Sequence, residues 1–170
     1  MSGFLKSVFP VAILLSTPII GAPAIADDLK EGAGVERLLG EWSSECDAWG
    51  TPANCRIVWS EGLHAEHLKI SYAISNRDNG AAIFSGEGVY RNGGDSLDGF
   101  WADSGGAVHP LSASWGENSL TTHWGRAGGE QGRTVYRLGE NGGLEVTDWV
   151  LRREGWAEFM KVSYVRTSQN

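Results

Sequence analysis

Positive charge is scarce in this 170-residue chain. Lys and Arg total 14 against 21 Asp and Glu, a net charge of −7. Nucleic acids and anionic headgroups are held through Lys and Arg, so the balance argues against both as partners. Cysteine is nearly absent too. Cys46 and Cys55 are the only two, and their eight-residue gap does not match the close pairs of zinc sites. Histidine is limited to His64, His67, His109 and His123. On a strand, His64 and His67 would point to opposite faces, and no third ligand is spaced to join them, so no metal site is predicted. Helical periodicity is missing as well. The one candidate helix, Leu29 to Leu39, has Asp27 or Asp28 as cap and Gly40 as stop, and Gly32 and Gly34 weaken it.

The one long apolar run lies at the start. Lys6 precedes a mostly apolar stretch from Val8 to Ile20, and Ala24-Ile25-Ala26 fits the small-x-small pattern of signal cleavage. The run is broken by Pro10 and Pro18 and falls short of the roughly 20 residues a spanning helix needs. Residues 1–26 therefore read as a signal peptide and 27–170 as one domain, periplasmic or secreted, with no membrane insertion after cleavage. Loss of Lys6 takes the net charge from −7 to −8. Two cysteines in an oxidising compartment read as a disulfide, worth about 2–3 kcal/mol for so short a loop.

What the chain has in quantity is alternation and turns. Leu68, Ile70, Tyr72 and Ile74 alternate with polar residues, and Asn76-Arg77-Asp78-Asn79-Gly80 then breaks the run. The theme recurs over 83–90, 97–102, 109–115, 120–124, 134–138, 144–151 and 156–165, each run ended by Gly, Asn, Asp or Ser. Adding 41–45 and 56–59 gives nine or ten strands, an all-β pattern. Short links make neighbours antiparallel, and a meander this long removes its exposed edges by closing into a barrel.

The segment "FWADSGGAVHP", 100–110, places Asp103, Ser104 and His109 within seven positions. These are the residue types of a nucleophilic hydrolase. No G-x-S-x-G elbow is present, and Asp-Ser-Gly-Gly between two strands is the composition of a hairpin turn. The catalytic reading would instead pair His109 with Asp103 or Asp148. The chain also has 24 glycines and eight tryptophans. Trp101, Trp115, Trp124, Trp149 and Trp156 fall in or beside the later strands. They either fill the core or line an aromatic cavity, and a barrel of eight or more strands can hold one small ligand. Alternation places His109, Leu111, Ala113 and Trp115 on one face. With the apolar sets inward, His109 faces the lumen and His123 faces out. Trp101, His109, Trp115, Trp124 and Tyr136 are the candidate lumen residues. Asp148 lies in an apolar run, and a buried carboxylate needs a donor, so an internal pair with Arg137 is a further candidate.

Gly40-Glu41-Trp42, a Gly-x-Trp opening the first strand after a short helical turn, resembles the calycin group of lipocalins, fatty-acid-binding proteins and bacterial relatives. The segments "GEGVYR", "LTTHWG", "GRTVYRL" and "VTDWVLR" resemble bacterial lipocalin-like domains of unknown function. The resemblance implies an 8–10-stranded up-and-down barrel with a short N-terminal helix. In that group the Trp closes one barrel end on a basic residue of the last strand, here Trp42 on Arg166. It implies binding of a small, partly apolar molecule and carries over no catalytic residue. It admits haem, but no histidine is assigned as axial ligand, and no cofactor is required. The alternatives are a barrel enzyme (isomerase, cyclase or hydrolase) and a structural protein whose barrel is filled by its own side chains.

Overall fold

The turn signals above fall between strands. The computed structural model describes residues 33–64, 66–92 and 96–168. A short helix, α1 (Ala33–Leu38), precedes ten strands. These are β1 (Gly40–Ala48), β2 (Thr51–Glu61), β3 (His67–Asn76), β4 (Ala82–Asn92) and β5 (Leu97–Asp103), then β6 (Val108–Trp115), β7 (Ser119–Gly125), β8 (Gln131–Leu138), β9 (Leu144–Arg152) and β10 (Gly155–Ser168). Each pairs antiparallel with its neighbour in sequence, and β1 pairs with β10 to close a ten-stranded barrel. Residues 1–32 lie outside the described residues, and with them the expected signal peptide and the first turn of the expected helix. Gly40 follows α1 with φ +116°, a left-handed stop that suits glycine.

Strict up-and-down order sorts the connections. The β1–β2, β3–β4, β5–β6, β7–β8 and β9–β10 turns gather at one end, here the mouth. The opposite strand ends and α1 gather at the base. At the base, Arg166 places its guanidinium 4.1 Å above the Trp42 ring and donates to the carbonyls of Arg37 and Leu39. The Trp42 indole N–H donates to the Leu38 carbonyl at 2.8 Å. Trp42 is fully buried, and the stack contributes about 0.5–2 kcal/mol. Trp59, Leu38, Leu97, Leu120 and Leu144 fill the same half with side chains at most 2% exposed.

The outer face carries ion pairs beside scattered exposed apolar residues such as Phe100, Val108 and Val165. Arg56 forks onto Glu41 with two hydrogen bonds of 2.7 Å, Lys69 meets Glu87 at 3.1 Å, and Lys161 meets Glu145 at 3.1 Å. Inside, glycines make room for rings. A Cβ on Gly132 would lie 1.8 Å from Trp124, and one on Gly86 would lie 2.0 Å from Trp101. Each of these tryptophans therefore lies against the backbone of a neighbouring strand, an approach that only glycine permits.

Candidate functional site

The mouth half of the barrel is open. A cavity of about 240 Å³ reaches from the turns to mid-depth. Its wall is aromatic: Trp101 from β5, Trp124 from β7, Tyr72 and Phe84 from β3 and β4, and Tyr90 and Tyr136 below. Phe84 and Trp101 stack at 17° with centroids 6.5 Å apart, and His109 lies 5.3 Å from Trp124. Trp59 stands behind Tyr90 and Tyr136, its ring edge-on to Tyr136 at 5.1 Å, and closes the floor.

One carboxyl projects into this apolar space. Asp148 on β9 is enclosed by protein yet keeps surface facing the cavity. Its Oδ1 accepts from the Thr134 hydroxyl at 2.6 Å. Burial pushes its pKa from 3.8 up to about 6, against the lowering effect of that hydrogen bond. All four tyrosines of the chain, Tyr72, Tyr90, Tyr136 and Tyr164, stand near enough to feel its charge. Burial holds their hydroxyls well above the usual tyrosine range, so they are neutral hydrogen-bonding groups. Tyr90 shares a 3.2 Å hydrogen bond with Thr122, and Tyr72 donates to the Met160 sulfur at 3.6 Å.

The rim carries two further acids and two exposed aromatics. Asp103 and Glu130 line the entrance with Trp49 and Phe159. Trp49 occupies a two-residue hairpin turn in which it and Gly50 both take positive φ, +53° and +88°. Asp47 secures the turn by accepting from the Gly50 amide at 2.6 Å. A bulky residue at positive φ is strained, and this one is 58% exposed at the cavity entrance. The Cys46–Cys55 disulfide ties the two strands of that hairpin together.

The expected lumen set divides. Trp101, His109, Trp124, Tyr136 and Asp148 line the cavity. Trp115 does not: its ring packs against Gly34 of α1 at the base. Arg137 also lies outside, because its neighbours Tyr136 and Leu138 take the inward positions of β8. It faces Glu145 across the outer surface, with a closest approach of 3.9 Å, so the expected internal pair with Asp148 does not form. His123 lies outside, 6.4 Å from Trp156. Arg133 covers the outer rings of Trp149 and Trp156 at 4.4 and 5.3 Å.

The hydrolase-like segment is a turn. Asp103 Oδ1 accepts from the amides of Gly105 and Ala107, its Oδ2 accepts from the Trp101 indole at 3.2 Å, and Gly106 takes φ +85°. Ser104 Oγ accepts from the Ser85 amide. Among the described residues no hydrogen bond joins His109 to Asp103 or Asp148, and its Nε2 lies 3.9 Å from Glu130. Among the same residues no group of three or more His, Cys, Asp or Glu is gathered to hold a metal.

The barrel has a solved counterpart. The crystal structure of Rv2717c from M. tuberculosis matches with a TM-score of 0.61 at 10% identity, covering 78% of this chain and 94% of that one. At that identity the likeness is one of fold. No protein-family model and no curated protein matches the sequence significantly.

The candidate lumen set omits several residues that line the cavity. Tyr72 and Tyr90 follow from alternation once Ile70 and Val89 are assigned faces. Met160 does not, because β10 carries a bulge between Glu158 and Met160 that reverses the alternation. Trp49 has a signal of another kind: a Trp before Gly, where a two-residue hairpin turn favours Asn or Asp.

Proposed function

We propose that this is an exported, calycin-like binding protein that holds a small, partly apolar molecule in the mouth of its barrel. The observation that carries the reading is the contrast between halves. The base is filled by the fully buried Trp42 and Trp59 and by buried leucines, while the mouth keeps an aromatic-walled space of about 240 Å³. Pockets for small molecules are concave and mostly apolar, with a few polar groups that fix orientation. A cavity of about 150 Å³ takes up benzene, so this one suits a single ring with a short substituent. The Trp42–Arg166 closure and the Gly-x-Trp start support the calycin assignment, and the disulfide fits an oxidising, extracytoplasmic compartment. The ion pairs on the outer face contrast with the apolar band that membrane barrels present to lipid.

The test is native mass spectrometry of protein isolated from its own host, with tryptophan fluorescence titrations against small aromatic and aliphatic compounds. Trp101 and Trp124 line the cavity, so occupancy is expected to change their emission. If nothing co-purifies and emission ignores every compound, the binding reading fails.

A further inference from the structure

The ionisable groups around the cavity are unbalanced. Asp148 lies deep, and Asp103 and Glu130 stand at the rim with His109; among the described residues no Lys or Arg lines the space. Asp103 is occupied by its turn, whereas Asp148 is not. Thr134 satisfies its Oδ1, and among the described residues its Oδ2 receives no hydrogen bond. A carboxylate enclosed in an apolar site without a cation is costly to the fold. The groups that face it are neutral: Thr134 and Tyr136 from β8, Tyr72 from β3, Tyr90 from β4, and Met160 and Tyr164 from β10. The aromatic faces nearby attract cations through their quadrupoles. An acidic ligand such as a fatty acid would meet three carboxylates and no lysine or arginine.

Resting on the binding reading above, we infer that the cavity takes a small amine, its ammonium group docked on Asp148 and its apolar body lying along the Trp101 and Trp124 rings. The ammonium supplies the donor that Oδ2 lacks and the positive charge that the site lacks. The rim acids Asp103 and Glu130 favour entry of a cation and oppose that of an anion.

Three probes of one shape separate the possibilities: 2-phenylethylamine, 2-phenylethanol and 3-phenylpropanoate. Each is titrated at pH 8 and pH 5 into the wild-type protein and Asp148→Asn, by calorimetry and tryptophan emission. Charge-assisted hydrogen bonds are worth more than neutral ones, so at pH 8 the amine is expected to bind about tenfold or more tighter than the alcohol. The carboxylate is expected to bind most weakly. At pH 5 Asp148 is largely protonated, because its pKa lies at about 6, and the amine's advantage should shrink toward parity. Asp148→Asn should remove that advantage at pH 8 and leave alcohol binding in place. Equal or tighter binding of the alcohol or the carboxylate at pH 8, or an amine preference that survives Asp148→Asn, overturns the inference and leaves a binding protein. If none of the three binds at millimolar concentration, the inference falls; the binding reading itself is judged by the wider compound screen.

Discussion

Asp148 makes a prediction about stability that needs no ligand. Its carboxyl titrates near 3.8 when exposed and at about 6 in the barrel. The native state therefore holds the proton more tightly than the unfolded state. Between about pH 4 and pH 6 the folded chain binds more protons than the unfolded chain, so this group's contribution to stability falls as pH rises. Below both values the contribution is constant, and above both the full cost of a buried charge is present. Two units or so at 1.36 kcal/mol each give about 3 kcal/mol. Asp148→Asn keeps the shape and removes the titration. The wild-type protein should thus lose about 3 kcal/mol relative to the variant between pH 3.5 and pH 7.5, or roughly 6–12 °C in Tm for a domain of this size. Urea unfolding followed by tryptophan emission across that range measures the difference, and other titrating groups cancel. Parallel pH curves would refute the burial argument. A wild-type protein that gains on the variant as pH rises would mean that the carboxylate already has a strong partner.

Gly132→Ala should force the Trp124 ring from its place, at a cost of about 1–3 kcal/mol and with a changed near-ultraviolet spectrum, since the new Cβ would lie 1.8 Å from the ring. Gly129→Ala, whose nearest neighbour is 3.6 Å away, is the silent control. Replacing both Cys46 and Cys55 by Ser should cost about 2–3 kcal/mol in denaturant unfolding, and an unchanged midpoint would show that the hairpin holds itself. Trp49→Asn should stabilise the fold by about 1 kcal/mol, because Asn tolerates the positive φ better, while weakening the binding of apolar probes. A variant that is both less stable and equally good at binding would contradict the role given to the strained turn.

The fold was legible because one signal repeats. Alternation closed by turn residues marks each strand from His67 to the end of β10, and the turn at Asp103 to Gly106 is as its composition implies. The first two strands run longer than the pattern indicates. Gly40–Ala48 and Thr51–Glu61 mix polar and apolar residues on one face, and the disulfide and hairpin register extend them. Within the cavity, parity found Trp101, His109, Trp124, Tyr136 and Asp148, because an inward face repeats every second residue. Parity does not encode depth. Trp115 shares the inward face of His109 but lies at the other end of β6, against α1. Chemistry alone pairs Arg137 with Asp148, and the alternation of β8 sends it outward.

The closure of β1 on β10 has a consequence for how the barrel assembles. Every other strand pair joins segments adjacent in the chain, so each can form as a hairpin while the rest is still fluid. The Arg166–Leu39 contact joins residues 127 apart, and the loop-closure entropy of the whole domain falls on that one seam. The same seam brings the first and last strands side by side. The chain could be rejoined there and opened at a mouth turn such as Arg126 to Gly129, leaving each strand its neighbours but moving the slow step elsewhere in the barrel.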